Sequence, residues 1–141
     1  MDLKSGYPFW AVSNGLMHAF PPLREDRSCD VLVVGGGISG ALIANELCAH
    51  GHDVVLVEQR DIGWGSTAAS TALLQYEIDT HLVDLAKRYG ERDAVLAYRA
   101  CAEAIPALRE VAAGFRGVDC HPMQSLYYAS KRSHRSSLQD E

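Results

Sequence analysis

The chain has 141 residues, of which 48% are apolar and 22% charged, a composition typical of one soluble globular domain. Its formal net charge of −5 argues against a nucleic-acid-binding protein, because such proteins usually carry a basic excess. No signal peptide is visible and no stretch reaches the roughly 20 apolar residues of a membrane helix, so we expect a cytoplasmic protein without a membrane segment.

Residues 1–28 predict an N-terminal arm rather than a free tail. The segment carries more large apolar side chains than an exposed tail would: Tyr7, Phe9, Trp10, Met17, Phe20 and Leu23. We expect these side chains to pack on a folded body. Pro21-Pro22 predicts a stiff, extended entry into the domain that follows.

Residues 30–58 predict a strand, a helix and a second strand. The run DVLVV at 30–34 is apolar and β-branched, and three glycines end it. Apolar residues then recur at helical spacing over residues 38–50, and Gly51 stands where a helix C-terminal glycine belongs. The run DVVLVE at 53–58 predicts a second buried strand. Such a βαβ unit has a right-handed crossover and indicates an α/β, Rossmann-like fold.

The glycines of this unit follow the spacing G-x-G-x-x-G at Gly35, Gly37 and Gly40. The first permits a tight turn, the second lets a pyrophosphate approach the backbone, and the third allows helix and strand to pack closely. The helix N-terminus favours phosphate charge through its N–H groups and dipole. Glu58 ends the second strand, where its carboxylate can accept hydrogen bonds from an adenosine ribose. The acid favours FAD or NAD over NADP, although the nearby Arg60 leaves NADP open.

Two further helices and one strand are predicted in the second half of the chain. We expect helices over residues 80–89 and 91–113, with Pro106 kinking the second helix or ending it early. An apolar stripe on that helix predicts its core-facing side and comprises Ala94, Tyr98, Cys101, Ile105, Leu108 and Ala112. Residues 125–130 predict a strand on which Tyr127 and Tyr128 face opposite sides. The polar residues 131–137 predict a turn that opens a last helix.

The segment after the second strand carries a resemblance to a known family. Gly63-Trp64-Gly65 leads into the small-residue stretch STAASTALL at 66–74. Together with VVGGGISG at 33–40 and Val57-Glu58, it resembles the D-amino-acid-oxidase-like flavoenzymes, which include glycine oxidase and sarcosine oxidase, and in particular their bacterial amine-oxidising members. Without this resemblance, a loop followed by a helix capped by Ser66 or Thr67 is an equally good interpretation.

The resemblance implies a GR2-type FAD-binding domain. It puts Ile38 and Ser39 on the pyrophosphate turn and Glu58 and Gln59 at the adenosine ribose. It puts Ser66 and Thr67 at the phosphates and Thr71, Ala72 and Leu73 beside the flavin. The candidate cofactor-binding residues are Gly35, Gly36, Gly37, Ile38, Ser39, Gly40, Glu58, Gln59, Arg60, Ser66, Thr67, Ser70, Thr71, Ala72 and Leu73. No His or Cys lies between Asp61 and Thr80, so we expect FAD to bind non-covalently.

The same resemblance implies the activity of the full-length protein. A small-molecule amine or amino acid would lose a Cα–H hydride to the flavin, water would hydrolyse the imine, and electrons would leave to oxygen or a carrier. The second, substrate-binding domain of such enzymes is not recognisable, so residues 29–141 are expected to be the N-terminal part of an FAD-binding domain in a longer protein. We expect residues 1–141 alone to have no amine oxidase activity.

The cysteines and histidines do not indicate a further site. The four cysteines form no C-x-x-C pair and the six histidines no H-x-x-x-H pair, so no metal site is expected. No catalytic residue can be assigned. Two alternative functions stay open: the nucleotide-binding domain of an NAD-dependent dehydrogenase, and a non-catalytic, truncated remnant.

Overall fold

The computed structural model describes residues 6–15 and 18–140, without the side chains of Ser137 and Asp140. The chain divides into two compact units, with the boundary between Ala72 and Leu73. The first unit contains the glycine motif, and the second unit contains the two helices predicted at residues 80–89 and 91–113.

The first unit is built on the predicted βαβ motif. Strand β1 spans Val31–Val34, helix α2 spans Ile38–Ala49 and strand β2 spans Val54–Val57, while a short helix α1 at Phe9–Asn14 precedes them. The two strands are parallel and pair in the register Val31 with Val54 through Val34 with Val57. The α/β, Rossmann-like motif is therefore present as a two-stranded sheet with one crossover helix.

Hydrogen bonds outside the regular ladder fix where the two strands begin and end. At the start, Asp53 N donates to Asp30 Oδ2 over 2.9 Å, and Asp30 N donates to Asp53 O over 2.9 Å. At the end, Gly35 N donates to Val57 O over 2.8 Å. Both strands therefore finish side by side, and the glycine turn and Glu58 leave the sheet at the same edge.

The N-terminal arm contacts the first unit through its aromatic residues. Residues 9–14 form α1, a helix that the sequence analysis did not predict within the arm. Trp10 Nε1 donates to the carbonyl oxygen of Ser70 over 2.9 Å, and the Tyr7 and Trp64 rings meet edge to face with their centroids 6.3 Å apart. The expected packing of the arm is thus found at Trp10, which is half-buried, while Tyr7 makes its ring contact at 76% exposure.

Other apolar residues of the arm do not pack as predicted. Phe20 is 64% exposed and Leu23 is 61% exposed, because the extended segment around Pro21-Pro22 runs over the surface. Met17 lies outside the described residues. Phe9, in α1, is likewise 68% exposed. The prediction that all these side chains pack on the body is therefore wrong for Phe9, Phe20 and Leu23.

Residues 62–69 form successive turns and not a capped helix. Ala69 N donates to Ser66 O over 3.2 Å, and Ser70 N donates to Thr67 O over 3.4 Å. These three-residue steps do not continue into the four-residue ladder of an α-helix. The interpretation of Ser66 or Thr67 as the cap of a local helix is therefore wrong.

The second unit is organised by two consecutive helices. Helix α3 spans Leu82–Tyr89 and helix α4 spans Glu91–Ala113, and Gly90 joins them with φ of +90°, which a residue with a side chain rarely adopts. Helix α4 continues past Pro106. Of the two predicted effects of this proline, a kink or an early end of the helix, the early end is therefore wrong. All members of the predicted stripe are buried or half-buried, and Ala94 is fully buried. The stripe is therefore the packed face of α4, as predicted.

The strand predicted at residues 125–130 does not form. These residues are irregular, and Leu126 is 83% exposed. A β-branched or aromatic run becomes a strand only where a partner supplies hydrogen bonds, and the described part of the chain places no strand beside it. Tyr127 instead places its hydroxyl 2.9 Å from His81 Nδ1.

A short C-terminal helical segment follows the predicted polar turn. A 3₁₀ turn spans Arg132–His134 and helix α5 spans Arg135–Asp140. This confirms the helix expected after residue 131. Among the described residues, no helix is both long and apolar enough to cross a bilayer.

A substitution at Gly40 tests the close packing of α2 on β1. A Cβ atom built at Gly40 would overlap the carbonyl oxygen of Gly35 and lie 3.4 Å from Val33 Cγ1. We expect Gly40→Ala to lower the free energy of unfolding by about 2 kcal/mol or more, in the range of overpacked cores. Urea unfolding of the full-length protein measures this loss. Ser39→Ala, at an exposed neighbouring position, is the control, and equal stability of the two variants would contradict the packing described.

Candidate functional site

The glycine turn at the end of β1 is shaped by its first two residues. Gly35 has φ of +106°, a backbone conformation open to glycine and strained for other residues. Gly36 is buried, and a Cβ atom there would overlap Ile62 Cδ1 and lie 3.2 Å from Glu58 Cβ. The turn therefore needs glycine at 35 for its geometry and at 36 for space.

Gly36 ties the turn to the segment after β2 from both sides of its peptide. Its N–H donates to Glu58 Oε2 over 2.8 Å, and its carbonyl accepts from Gly63 N over 2.8 Å. The glycine turn, the end of β2 and the loop around Gly63 are thereby held together. The glycine turn is more than 20 residues away from the other two segments in sequence.

Glu58 is positioned as an ionised hydrogen-bond acceptor. Besides the bond from Gly36, Glu58 Oε1 accepts from Arg60 N over 3.0 Å. These two backbone N–H groups, Gly36 first, lower the pKa of Glu58 below its usual value of 4.5, and the Arg60 guanidinium lowers it further. A carboxylate has about four acceptor positions on its two oxygens. One position on each oxygen is used by these bonds, so each oxygen can still accept from a ligand hydroxyl.

The carboxylate borders an open depression at the carboxyl ends of the strands. The depression has a volume of about 520 Å³ and is lined by Val34, Gly35, Val57, Glu58 and Gln59. In parallel α/β sheets ligands bind at this edge. A vicinal diol lying in the depression would meet the two oxygens of Glu58.

The start of α2 meets the loop that follows β2 through Thr67. The first N–H groups of a helix have no carbonyl partner within the helix. Here Ile38 N donates to Thr67 Oγ1 over 2.9 Å, and a Cβ atom at Gly37 would lie 3.2 Å from the same oxygen. The hydroxyl of Thr67 keeps its own proton to donate. Thr67 therefore holds a hydroxyl donor at the N-terminus of α2, an arrangement that suits a phosphate oxygen.

The structure brings only part of the predicted residue set together. Gly35, Gly36, Gly37, Ile38, Gly40, Glu58, Gln59, Arg60 and Thr67 lie at or beside the turn. Ser39 is exposed in the first turn of α2, and Ser66 and Thr71 are exposed in the loop. Ser70 Oγ accepts from Ala72 N over 3.2 Å, and Leu73 is the first residue of the second unit, 70% exposed.

Three contacting residues were missed by the sequence analysis. Ile62 fills the space above Gly36, Gly63 binds the carbonyl of Gly36, and Trp10 binds the carbonyl of Ser70. The glycine pair around Trp64 was a signal for Gly63. Nothing in the local sequence indicates the partners of Ile62 or Trp10, because those contacts depend on how distant segments fold back.

The comparison with protein families decides the assignment. The profile of the family described as FAD dependent oxidoreductase, DAO, matches residues 30–141. The chain belongs to this family. The fold expected from the sequence agrees with this family, whose FAD-binding domain is Rossmann-like, and the βαβ unit is consistent with it. The family catalyses FAD-dependent oxidoreduction, and FAD is the cofactor, as the sequence predicted.

Individual relatives differ in what their names describe. The chain is 33% identical over 128 residues to YhfW of Bacillus subtilis (strain 168), whose name describes a Rieske 2Fe-2S iron-sulfur protein. It is 34% identical over 82 residues to gamma-glutamylputrescine oxidoreductase of Escherichia coli (strain K12). It is 40% identical over 50 residues to alpha-glycerophosphate oxidase of Streptococcus pyogenes serotype M3 (strain SSI-1).

These matches cover most of the chain in one case and small parts of the relatives in all. The three alignments include 89%, 58% and 36% of this chain. They include 25%, 19% and 8% of the relatives. The chain therefore spans about a quarter of YhfW and about a fifth of gamma-glutamylputrescine oxidoreductase. No solved structure matches the chain.

The residues at the carboxyl edge of the sheet fit FAD. Each oxygen of Glu58 has an acceptor position left for a ribose hydroxyl, and a Cβ atom at Gly37 would lie 3.2 Å from Thr67 Oγ1, so a side chain at 37 would crowd the helix N-terminus. Within residues 6–15 and 18–140, no three His, Cys, Asp or Glu side chains come together as a metal site. The fit is therefore to a nucleotide cofactor held by backbone and hydroxyl groups.

The lowered pKa of Glu58 makes stability depend on pH in a defined direction. Ionised Glu58 accepts from two N–H groups in the folded state, so its contribution is present above the usual pKa of 4.5 and is lost as pH falls through the folded value. We expect Glu58→Gln to be less stable than wild type at pH 7. The amide of glutamine has one oxygen and one NH2 group, and the NH2 group would face a backbone N–H donor in place of an acceptor. The difference should shrink steadily below pH 4.5.

Urea unfolding across this pH range measures the effect in the full-length protein without added FAD. Glu103→Gln is the control, since Glu103 is an exposed carboxylate of α4. A difference between wild type and Glu58→Gln that stays constant down to the lowest pH would show that the carboxylate is not held as described.

Proposed function

We propose that the edge formed by the glycine turn, Glu58 and residues 61–72 binds FAD, and that the full-length protein oxidises an amine or amino acid. The observation that carries the proposal is the pair of hydrogen bonds from Gly36 N to Glu58 and from Ile38 N to Thr67. Together they join three separate segments of the predicted FAD site at one sheet edge. Membership of the FAD-dependent family supports the choice of cofactor.

The adenosine end of FAD is proposed to lie in the depression beside Glu58. Each carboxylate oxygen of Glu58 accepts a hydrogen bond from one ribose hydroxyl. Oε2 keeps its hydrogen bond from Gly36 N, and Oε1 keeps the one from Arg60 N. Gln59 lines the same depression. An anionic carboxylate there repels a 2′-phosphate, which favours FAD over a phosphorylated dinucleotide.

The pyrophosphate is proposed to lie at the N-terminus of α2. The backbone N–H groups of Gly37, Ser39 and Gly40 and the hydroxyl of Thr67 supply donors, and the helix dipole favours the negative charge. Ser66 precedes Thr67 and is exposed, so its hydroxyl is available to the same group. Thr67 accepts from Ile38 N and donates to a phosphate oxygen, and so fixes both partners.

The flavin end is proposed to run along Ser70, Thr71, Ala72 and Leu73. This part of the proposal rests on the family resemblance, and the small side chains of the stretch allow the backbone to approach a ring system closely. No His or Cys lies nearby in the sequence to attach the flavin, so non-covalent binding is part of the proposal.

Bound FAD supplies the acceptor for the hydride that leaves the carbon next to the amine nitrogen. This chain's residues bind and orient the cofactor, and no general acid or base for substrate is assigned among them. A small-molecule amine or amino acid as substrate and a cytoplasmic location are proposed from the family resemblance and from gamma-glutamylputrescine oxidoreductase as a relative. The family match favours FAD-dependent oxidoreduction over an NAD-dependent dehydrogenase.

A second candidate concerns where the electrons go. The relative with the broadest coverage of this chain among those above is named as a Rieske 2Fe-2S iron-sulfur protein. This favours transfer from reduced FAD to an iron–sulfur cluster over direct transfer to oxygen. The described residues form no metal site. The ligands of such a cluster would therefore have to come from another part of the protein.

Purification of the full-length protein with its cofactor tests the binding site. We expect wild type to carry FAD that acid releases, and Gly37→Val to lose flavin more than about tenfold, equivalent to 1.4 kcal/mol. Valine can adopt the extended backbone of Gly37, with φ of −73° and ψ of −179°, but its side chain would enter the phosphate approach beside Thr67. Flavin absorbance per protein measures the loss.

Ala41→Val is the matched control, because it adds valine to an exposed position of the same helix. It should keep the flavin content of wild type. Release of NAD without flavin from wild type would contradict the cofactor assignment. Full flavin content in Gly37→Val would show that the pyrophosphate lies elsewhere.

The fate of the electrons is tested by assaying amine oxidation in air together with the iron content. If oxygen is the acceptor, each amine oxidised should yield one hydrogen peroxide, and the protein should contain no acid-labile sulfide. If the second candidate is right, iron and sulfide should co-purify and peroxide should be far below the amine consumed. Flavin that no amine or amino acid reduces would contradict the proposed substrate class.

A further inference from the structure

We propose that Trp10 of the N-terminal arm is a positioning residue for FAD, which it serves by holding the loop that follows β2. The inference rests on the proposed function, because that loop is the proposed binding segment for the pyrophosphate and flavin. Trp10 is not itself expected to touch the cofactor. It acts through Ser70.

The contact is a single directed hydrogen bond between distant parts of the chain. The indole of tryptophan has one N–H donor and no acceptor. In Trp10 this donor is 2.9 Å from the carbonyl oxygen of Ser70, 60 residues away, and the side chain is half-buried. The loop around Ser70 is irregular, so no strand or helix ladder holds this carbonyl. Trp10 therefore supplies an anchor from outside the loop.

The anchored residue controls the backbone two residues further on. Ser70 Oγ accepts from Ala72 N over 3.2 Å, and Ala72 has φ of +57°. Among the described residues other than glycine, Ala72 alone has a positive φ. A left-handed conformation is strained for an L-residue with a side chain and persists where its surroundings enforce it. Fixing Ser70 thus helps to hold a strained residue that is proposed to lie beside the flavin.

A second arm residue contacts the other end of the same loop. The ring of Tyr7 packs edge to face on Trp64, with the ring centroids 6.3 Å apart and the planes at 75°. The arm thus touches the loop at Trp64 and at Ser70, on either side of Thr67. Thr67 is the residue that bonds to the N-terminus of α2. The arm therefore limits the movement of the segment that positions Thr67.

Trp10→Phe in the full-length protein tests this role, because it removes the N–H donor and keeps an aromatic ring. A net hydrogen bond contributes about 1 kcal/mol, so we expect FAD to dissociate about fivefold faster. At saturating FAD the visible circular dichroism of the flavin should also change, because the loop holds the cofactor differently. Val12→Ala is the control in the same short helix, at a side chain 70% exposed, and should behave as wild type.

A rescue variant separates positioning from a general loss of stability. Glycine adopts positive φ without strain, so Ala72→Gly on the Trp10→Phe background should recover most of the slow FAD release. A purely structural role of Trp10 would lower the melting temperature of the FAD-free protein and would not be rescued at residue 72. Unchanged FAD release and dichroism in Trp10→Phe, or no rescue by Ala72→Gly, would overturn the inference. Wild type that binds no FAD would instead overturn the proposed function.

Discussion

The hydrogen bond from Gly36 N to Glu58 Oε2 joins the two halves of the predicted nucleotide site, the glycine turn and the acid that follows β2. Glu58 reaches Gly36 because β1 and β2 end in register, and Gly36 has no side chain to block it. The carbonyl oxygen of Gly36 accepts from Gly63 N. Gly63 lies at the start of the loop that brings Thr67 to the N-terminus of α2. Without a carboxylate at 58, Gly36 N would lose this acceptor, and the bond from Gly63 N would be left to hold the peptide of Gly36.

The features predictable from the sequence are those that local pattern determines. Apolar runs and glycine spacing predict β1, α2 and β2 within one or two residues, and helical spacing predicts the packed stripe of α4. The roles of Gly35 and Gly40 follow from backbone geometry alone. The acid at 58 is predicted because the end of a strand fixes where its side chain lies.

Features that depend on distant partners were not predictable in this way. Residues 125–130 have strand-like composition, but a strand needs a neighbouring ladder, and none lies beside them in the described structure. The bonds from Trp10 to Ser70 and from Ile38 to Thr67 join residues 60 and 29 positions apart. The family resemblance predicts Thr67 as a phosphate-binding residue. The position of its hydroxyl at the N-terminus of α2 is seen only in the folded structure.

Amide hydrogen exchange of the full-length protein, with and without FAD, tests the central claim most directly. If FAD binds at the edge described, it should slow exchange at the amides of Gly37, Ser39 and Gly40, around the start of α2, since phosphate oxygens accept from them. FMN, which lacks the adenosine and the pyrophosphate, should not slow them to the same extent. FAD binding that protects amides elsewhere and leaves those of Gly37, Ser39 and Gly40 unchanged would contradict the site.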